Sequence, residues 1–393
     1  MNPPHTICFM DGDVAGFGRT SLRVRGERVI SVGLPPQRDD VVVDLRGDRV
    51  LPGLINAHDH LQLNNYPRVK FRDAHRNVGE WISDVDSRRT SDARLAQAKQ
   101  VPREARLWQG ALKNLLAGVT TVAHHDPLYP VLRASHFPIR ILTDYGWAHS
   151  LGIDGEASVQ RSHRETPGLW PWLIHAGEGV DAAATREFGR LESLGCMTAN
   201  ARFIHGVAFN SDERERLANM GAGLVWCPAS NFYLFGRTAD VRMLAARGCV
   251  ALGSDSRLSG SRDLLDELRE AHATGMVLEE EIESLVTGAS AALLRLTNRG
   301  ALREGMLADI VILPRAMPLW NARRADLRGV MLGGNLLYGD ASIASQLLPS
   351  DDRAGIVVDG CDKVLRRDIA DQLQRYAAGE LGVQWMRETG RAA

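Results

Sequence analysis

Long apolar runs are missing from this 393-residue chain. No window approaches the roughly 20 consecutive apolar residues of a spanning helix. The first residues, Met-Asn-Pro-Pro-His, carry neither the basic segment nor the apolar stretch of a secretory leader. A membrane partner is therefore not expected. An excess of charge of one sign is also missing: 47 basic and 48 acidic residues leave a formal charge of −1, which argues against a nucleic-acid partner. The five cysteines (Cys8, Cys196, Cys227, Cys249, Cys361) are odd in number and scattered, with no C-x-x-C pair. This excludes a disulfide framework and suits a reducing, cytoplasmic setting. Lysine is scarce, and none lies between Lys113 and Lys363. A small molecule is the partner class that remains, and the composition is compatible with a homo-oligomer.

The hydrophobic share, 44%, is that of an ordinary globular protein. Residues 1–50 read as short strands at Thr6–Met10, Ser21–Val24, Val29–Val32 and Val41–Leu45, with turns at Asp11-Gly12, Gly26 and Asp39-Asp40. So small a β unit needs a partner sheet. From Val50 onward strand and helix signals alternate. Strands are expected at Val50–Ala57, Val119–Ala123, Ile139–Tyr145, Trp172–Ile174, Arg202–Ile204, Gly223–Trp226 and Val250–Leu252. Helices are expected at Arg103–Leu116, Ala182–Leu194, Ser211–Met220 and Asp240–Ala246. Repeated βα units predict a parallel sheet with helices outside, most economically a distorted TIM-like (β/α)8 barrel. Seven strands are legible. Either an eighth hides near Ala157–Gln160 or the barrel is irregular there, with its fourth βα unit truncated. After Gly300 the pattern returns to β, with strands at Val330–Leu332 and Gly355–Val358 and a late helix at Arg366–Ala378. The expected division is a barrel at 50–298 and a composite β domain from 1–49 plus 299–393.

Histidines and carboxylates recur where these strands end. His58 and His60 close the first; in a strand they share a face while Asp59 points the other way. His124-His125-Asp126 follows the second strand, and His175-Ala-Gly-Glu178 follows the one at Trp172. His205 ends the next, and Asp255, in Gly-Ser-Asp-Ser, follows the last. Each has a plainer reading. His175 can be a satisfied barrel histidine, Asp255 a helix N-cap, and Glu178 a solvated loop charge. All of them together at the C-terminal strand ends, where barrel chemistry sits, would require several separate coincidences. His124 and His125 fit either pocket wall or packing, and His149 is a candidate substrate contact. His5, His75, His136, His163 and His272 read as surface or structural.

Three imidazoles and one carboxylate can hold a borderline divalent ion and leave a position for water. Such an ion lowers the pKa of water toward about 7. Glu178 is placed to move protons to a leaving group, His205 to polarise the substrate, and Asp255 to take a proton while ligating. Gln62, Asn64 and Arg257 are further substrate-contact candidates, Arg257 with Arg68 for an anionic group.

The stretches Leu51-Pro-Gly-Leu-Ile-Asn-Ala-His-Asp-His60, Gly118-Val-Thr-Thr-Val122, His175-Ala-Gly-Glu178, Phe203-Ile-His-Gly206, Cys227-Pro-Ala-Ser-Asn231, Gly253-Ser-Asp255 and Gly305-Met-Leu-Ala-Asp-Ile-Val311 together resemble the amidohydrolase superfamily. The resemblance is to its cytosine deaminase and triazine hydrolase-like branch, and it covers nearly the whole chain. It implies a distorted (β/α)8 barrel with a composite β-sandwich. It also implies one metal ion, zinc or in some members iron, held by His58, His60, His175 and Asp255, with Glu178 and His205 assisting proton transfer. Two-metal relatives use a carboxylated lysine, which the lysine-free stretch from Asn114 to Asp362 does not supply. The implied reaction is hydrolysis of a non-peptide C–N bond, foremost deamination of an amino-substituted heterocycle. Opening of a cyclic amide, and a non-catalytic metal- or partner-binding role on the same barrel, remain the alternatives.

Overall fold

In the computed structural model, which describes residues 6–386, two sheet systems share the chain. The first is one eleven-stranded sheet that draws strands from both ends of the sequence. Its seam is antiparallel pairing of Arg49–Pro52 with Ile310–Leu313. N-terminal strands Thr6–Val14, Gly18–Arg25, Arg28–Val32 and Val41–Asp44 lie on one side of that seam, and Gly329–Leu332 to Val383–Trp385 on the other. Phe9, Leu22, Val50, Ile310 and Met331 fill one core of this unit.

The second system is parallel, and its strands are numbered here in chain order. Strands β1 (Leu54–Asp59), β2 (Val119–His124) and β3 (Arg140–Ile141) form one arc. Strands β4 (Gly146–Ala148), β5 (Trp172–Ala176), β6 (Ala201–His205), β7 (Gly223–Trp226) and β8 (Val250–Leu252) form the other. The last strand turns back on the first, where the N–H of Asp255 donates to the carbonyl of His58 at 3.1 Å. Side chains such as Ile55, Leu173, Ile204, Val225 and Ala251 fill the space the arcs enclose. Among the helices, α1 (Val78–Arg88), α2 (Ala93–Gln100) and α3 (Arg103–Leu116) separate β1 from β2. No helix among the described residues is long and apolar enough to cross a membrane.

Three sequence expectations change. The run Val50–Ala57 is two strands, because the chain passes from one sheet to the other at Gly53. Its N–H donates to Asp309 O while the next N–H donates to Gly118 O. A Cβ at Gly53 would lie 2.3 Å from Thr120 Oγ1, so only glycine fits this crossing. The composite sheet consequently extends through Pro52, past the expected boundary at residue 49. The eighth strand is Gly146–Ala148, and Ala157–Gln160 lies in the helix Glu156–Glu165, where Val159 alone is buried. The truncated unit is therefore the third: only Leu142–Tyr145 joins β3 to β4, whereas β4 is followed by helical turns at Leu151–Asp154 and Glu156–Glu165. His5 lies outside the described residues.

Candidate active site

The C-terminal ends of the parallel strands surround a cavity of about 350 Å³. His60, His175, Glu178, His205 and Asp255 form its floor, with Asp126 and His149 beside them. One wall comes from α1, which presents Val78, Trp81, Ile82 and Val85; Leu63, Ile153 and Leu258 extend the apolar surface. Asn77 caps α1 by accepting the N–H of Glu80. Trp81 is pinned by donation from its Nε1 to Val69 O at 2.9 Å.

Ring nitrogens converge at the floor. His175 Nε2 lies 3.3 Å from His58 Nε2 and 3.4 Å from His60 Nε2. Asp255 Oδ1 lies 3.7 Å from His58 Nε2 and 4.0 Å from His60 Nε2. The partners behind these rings settle which nitrogens are free. His60 Nδ1 donates to Asp126 Oδ2 at 2.8 Å, and His175 Nδ1 donates to the carbonyl of His149 at 2.8 Å. With neutral rings protonated on Nδ1, two bare Nε2 lone pairs would face each other, an arrangement that repels unless a cation, a metal ion or a proton on His60, lies between them. Donors placed tetrahedrally at about 2.0–2.1 Å from a zinc-sized ion are about 3.3–3.4 Å apart, which matches the imidazole spacings. Asp255 Oδ2 accepts from Ser230 Oγ and Ser259 Oγ, both at 2.9 Å, while Oδ1 accepts the N–H of Ser256 at 2.6 Å and faces the imidazoles. The residues fit a divalent metal ion. His58, His175 and His205 form a second close group of donors, so His205 can also approach such an ion.

Burial sets the protonation states. It lowers His58 and His175 well below an ordinary histidine, and neighbouring imidazoles add to this, so both are neutral. Burial opposes charge on His60 as well, but the hydrogen bond and charge of Asp126 outweigh it and raise its pKa. Burial also opposes ionisation of Asp126, yet hydrogen bonds from His149 and His60 hold it ionised. Glu178 is pushed well above the usual carboxylate range by burial, then by the charges of Asp255 and Glu187. It keeps its proton where most glutamates have lost theirs. Glu178 Oε1 stands 3.4 Å from His205 Nε2, while His205 Nδ1 donates to Asn231 Oδ1 at 2.8 Å. His205 and Asp255 both adopt positive φ, 74° and 51°, the kind of backbone strain that clusters at functional sites.

The structure thus brings together His58, His60, His175, Glu178, His205 and Asp255, and places Gln62 and His149 on the cavity wall. Four residues expected at the substrate, Asn64, His125, Arg257 and Arg68, lie elsewhere. Asn64 is buried in a polar cluster, donating to Asp59 Oδ1 at 2.8 Å and accepting from Lys113 Nζ at 2.7 Å. Arg257 forms a buried pair with Glu380, so its guanidinium is not available to a substrate anion. Arg68 is likewise spent on the carbonyls of Ser259 and Ala229. His125 stacks on His175, with centroids 4.5 Å apart, and donates from Nε2 to Ala148 O. It supports the His175 ring from behind, while His124 is fully buried, accepts the N–H of Leu61 at Nδ1 and does not line the cavity. Sequence reasoning missed the role of Asp126, although it stands in the same His-His-Asp triplet. It missed Ser230 and Ser259 too; Ser230 lies within a quoted motif, but nothing in its spacing points to Asp255.

A match to the amidohydrolase family covers residues 171–337, from β5 through the seam of the composite sheet. Those residues form an amidohydrolase-family domain. Over 90% of its length the chain is 28% identical to a 5-methylthioadenosine/S-adenosylhomocysteine deaminase of Halobacterium salinarum, 93% of which is covered. It is 27% identical to the same-named enzyme of Pyrococcus abyssi, over 90% of this chain and 95% of that one. Among solved structures, an adenosine deaminase from Xanthomonas campestris with bound zinc superposes with a TM-score of 0.71 at 15% identity, covering 95% of this chain and 99% of that one. The triazine hydrolase of Arthobacter aurescens superposes with a TM-score of 0.68 at 18% identity, covering 85% and 94%. At those identities the two structures speak for the shared fold.

Proposed function

We propose that this protein is a hydrolase of C–N bonds other than peptide bonds, which removes ammonia from an amino-substituted heterocycle at a single divalent metal ion held by His58, His60, His175 and Asp255. The observation that carries the reading is the convergence of three imidazole Nε2 atoms and Asp255 Oδ1 opposite Glu178, whose pKa is raised by burial. Bound there, the ion supplies a water whose pKa is lowered toward about 7. The chain's own residues handle the rest. Glu178 transfers a proton to a ring nitrogen of the substrate, which makes the amino-bearing carbon electrophilic. His205, its proton fixed on Nδ1 by Asn231, offers Nε2 to Glu178 and holds that carboxyl in place. Asp255 stands on the floor to accept the proton that water gives up; Glu178, left ionised, would carry the proton of the added hydroxyl to the departing amine as the carbonyl forms, and the proton held by Asp255 would then restore Glu178.

Zinc is the ion proposed, since N and O donors at this spacing suit it and keep a position open; ferrous iron is the alternative metal. The apolar surface of α1 and Ile153 favours a substrate with an uncharged ring and an apolar substituent. Because full-length relatives are named as deaminases of 5-methylthioadenosine and S-adenosylhomocysteine, 6-aminopurine nucleosides stand first among candidates, before aminopyrimidines and aminotriazines. The five free thiols, including exposed Cys361, favour the cytoplasm as its location.

The test is ammonia release by zinc-loaded protein across those three classes, with the Glu178→Gln variant alongside. The expected outcome is release from at least one class, and loss of turnover in the variant with metal retained. Zinc bound without release from any of them would leave ring opening of a cyclic amide, or binding alone, as the better account.

A further inference from the structure

Behind the cavity floor, on the face of β1 opposite His58 and His60, lies a charged side chain with no path to solvent. Lys113 on α3 and Asp59 on β1 both have fully buried side chains, and Lys113 Nζ stands 3.3 Å from Asp59 Oδ2. Asp59 is further held by Asn64 Nδ2 and Asn114 Nδ2, each at 2.8 Å. Lys113 Nζ also donates to Asn64 Oδ1 at 2.7 Å, to Ser254 Oγ at 3.1 Å and to the carbonyl of Asp255 at 3.1 Å. Asn64 Oδ1 in turn accepts the N–H of Arg257 at 3.1 Å. The ammonium therefore grips the segment 254–257 at its backbone, directly and through Asn64. That segment contains the left-handed residue Asp255, φ 51°, a conformation an aspartate keeps only when its surroundings impose it.

We propose that Lys113 is a positioning residue of the metal centre. Clamped by Asp59, its ammonium fixes the Asp255 carbonyl and thereby holds the turn that presents Asp255 Oδ1 to the imidazoles. The lysine acts on the backbone of a ligand and contributes no ligand itself. This inference rests on reading His58, His60, His175 and Asp255 as the metal-binding set.

The test compares the parent with Lys113→Met, well below the unfolding temperature. Zinc affinity is measured by chelator competition, and ligand geometry by the visible absorption of the cobalt-loaded protein. Loss of a partner behind a ligand typically lowers metal affinity about 10–100-fold, and that loss is expected here, with altered cobalt bands. The single variant strands a buried carboxylate and can fail to fold for that reason alone. The double variant Asp59→Asn with Lys113→Met removes both charges, so folding is expected to recover while the affinity loss persists. A folded variant with the parent's zinc affinity and cobalt spectrum overturns the proposal, and so does failure of both variants to fold, which would make Lys113 a residue of stability. A parent that binds no zinc overturns the ligand set and this inference together.

Discussion

Asp126→Ala removes the side chain that orients the second imidazole, and its cost can be worked from the geometry. Asp126 Oδ2 accepts the Nδ1 proton of His60 at 2.8 Å and also bonds Gln62 Nε2. Without it, His60 loses the one contact that fixes both its tautomer and its ring direction. The ring can then place a proton on Nε2, the nitrogen that faces His175, and must give it up before it can ligate. A hydrogen bond to a charged group contributes about 1.5–3 kcal/mol. If that contribution is spent on presenting the bare Nε2, metal affinity falls by about 10–150-fold at 1.4 kcal/mol per tenfold. The independent expectation for partners behind a metal-bound histidine, about 10–100-fold, overlaps this range. Asp126→Asn keeps an oxygen able to accept the same bond, so its loss should be smaller than that of the alanine variant. Zinc competition with a chromophoric chelator reads both. Alanine and parent binding zinc equally well would refute the argument that Asp126 aims His60.

A Cβ placed on Gly260 would lie 2.2 Å from Ser254 O and 2.9 Å from Ser256 O, both backbone atoms. Gly260→Ala should therefore displace the Asp255 turn, lowering zinc affinity more than it lowers the melting temperature; a variant with unchanged affinity would sink this reading. Glu267 gives a pH dependence, because burial raises its pKa to about 8. In the folded chain it keeps its proton to about pH 8, whereas an unfolded glutamate releases it near pH 4.5. Between those values the unfolded state binds fewer protons, so this carboxyl makes the fold progressively less stable as pH rises. At 1.36 kcal/mol per unit the total is of order 5 kcal/mol. Glu267→Gln cannot titrate, and its unfolding free energy, measured by denaturant at several pH values, should lack that decline; parallel profiles for variant and parent would contradict it.

The parts of this molecule legible in the sequence are those where one residue's role follows from its immediate neighbours. His58 and His60 share a face because a strand alternates. The helix Arg103–Leu116 was readable because ten of its fourteen residues are buried in a continuous band. Short strands gave weaker signals: Gly146–Ala148 offers three residues, too few for alternation to register, and its position had to come from pairing with Trp172–Ile174. Long-range partners were beyond reach altogether. Arg257 and Glu380 are 123 residues apart, and Lys113 and Asp255 are 142 apart. Arg257 read as a free cation because nothing near it in sequence neutralises it. Lys113 read as the edge of a lysine-free interval, yet it reaches the turn carrying Asp255 from behind. In both cases the charge is spent on contacts at or next to the turn that carries Asp255, away from the cavity. Around the polar floor the cavity wall is left mostly apolar by α1, Leu63, Ile153 and Leu258, with Gln62, Asp86, Arg89 and His149 as its polar exceptions beside three serines.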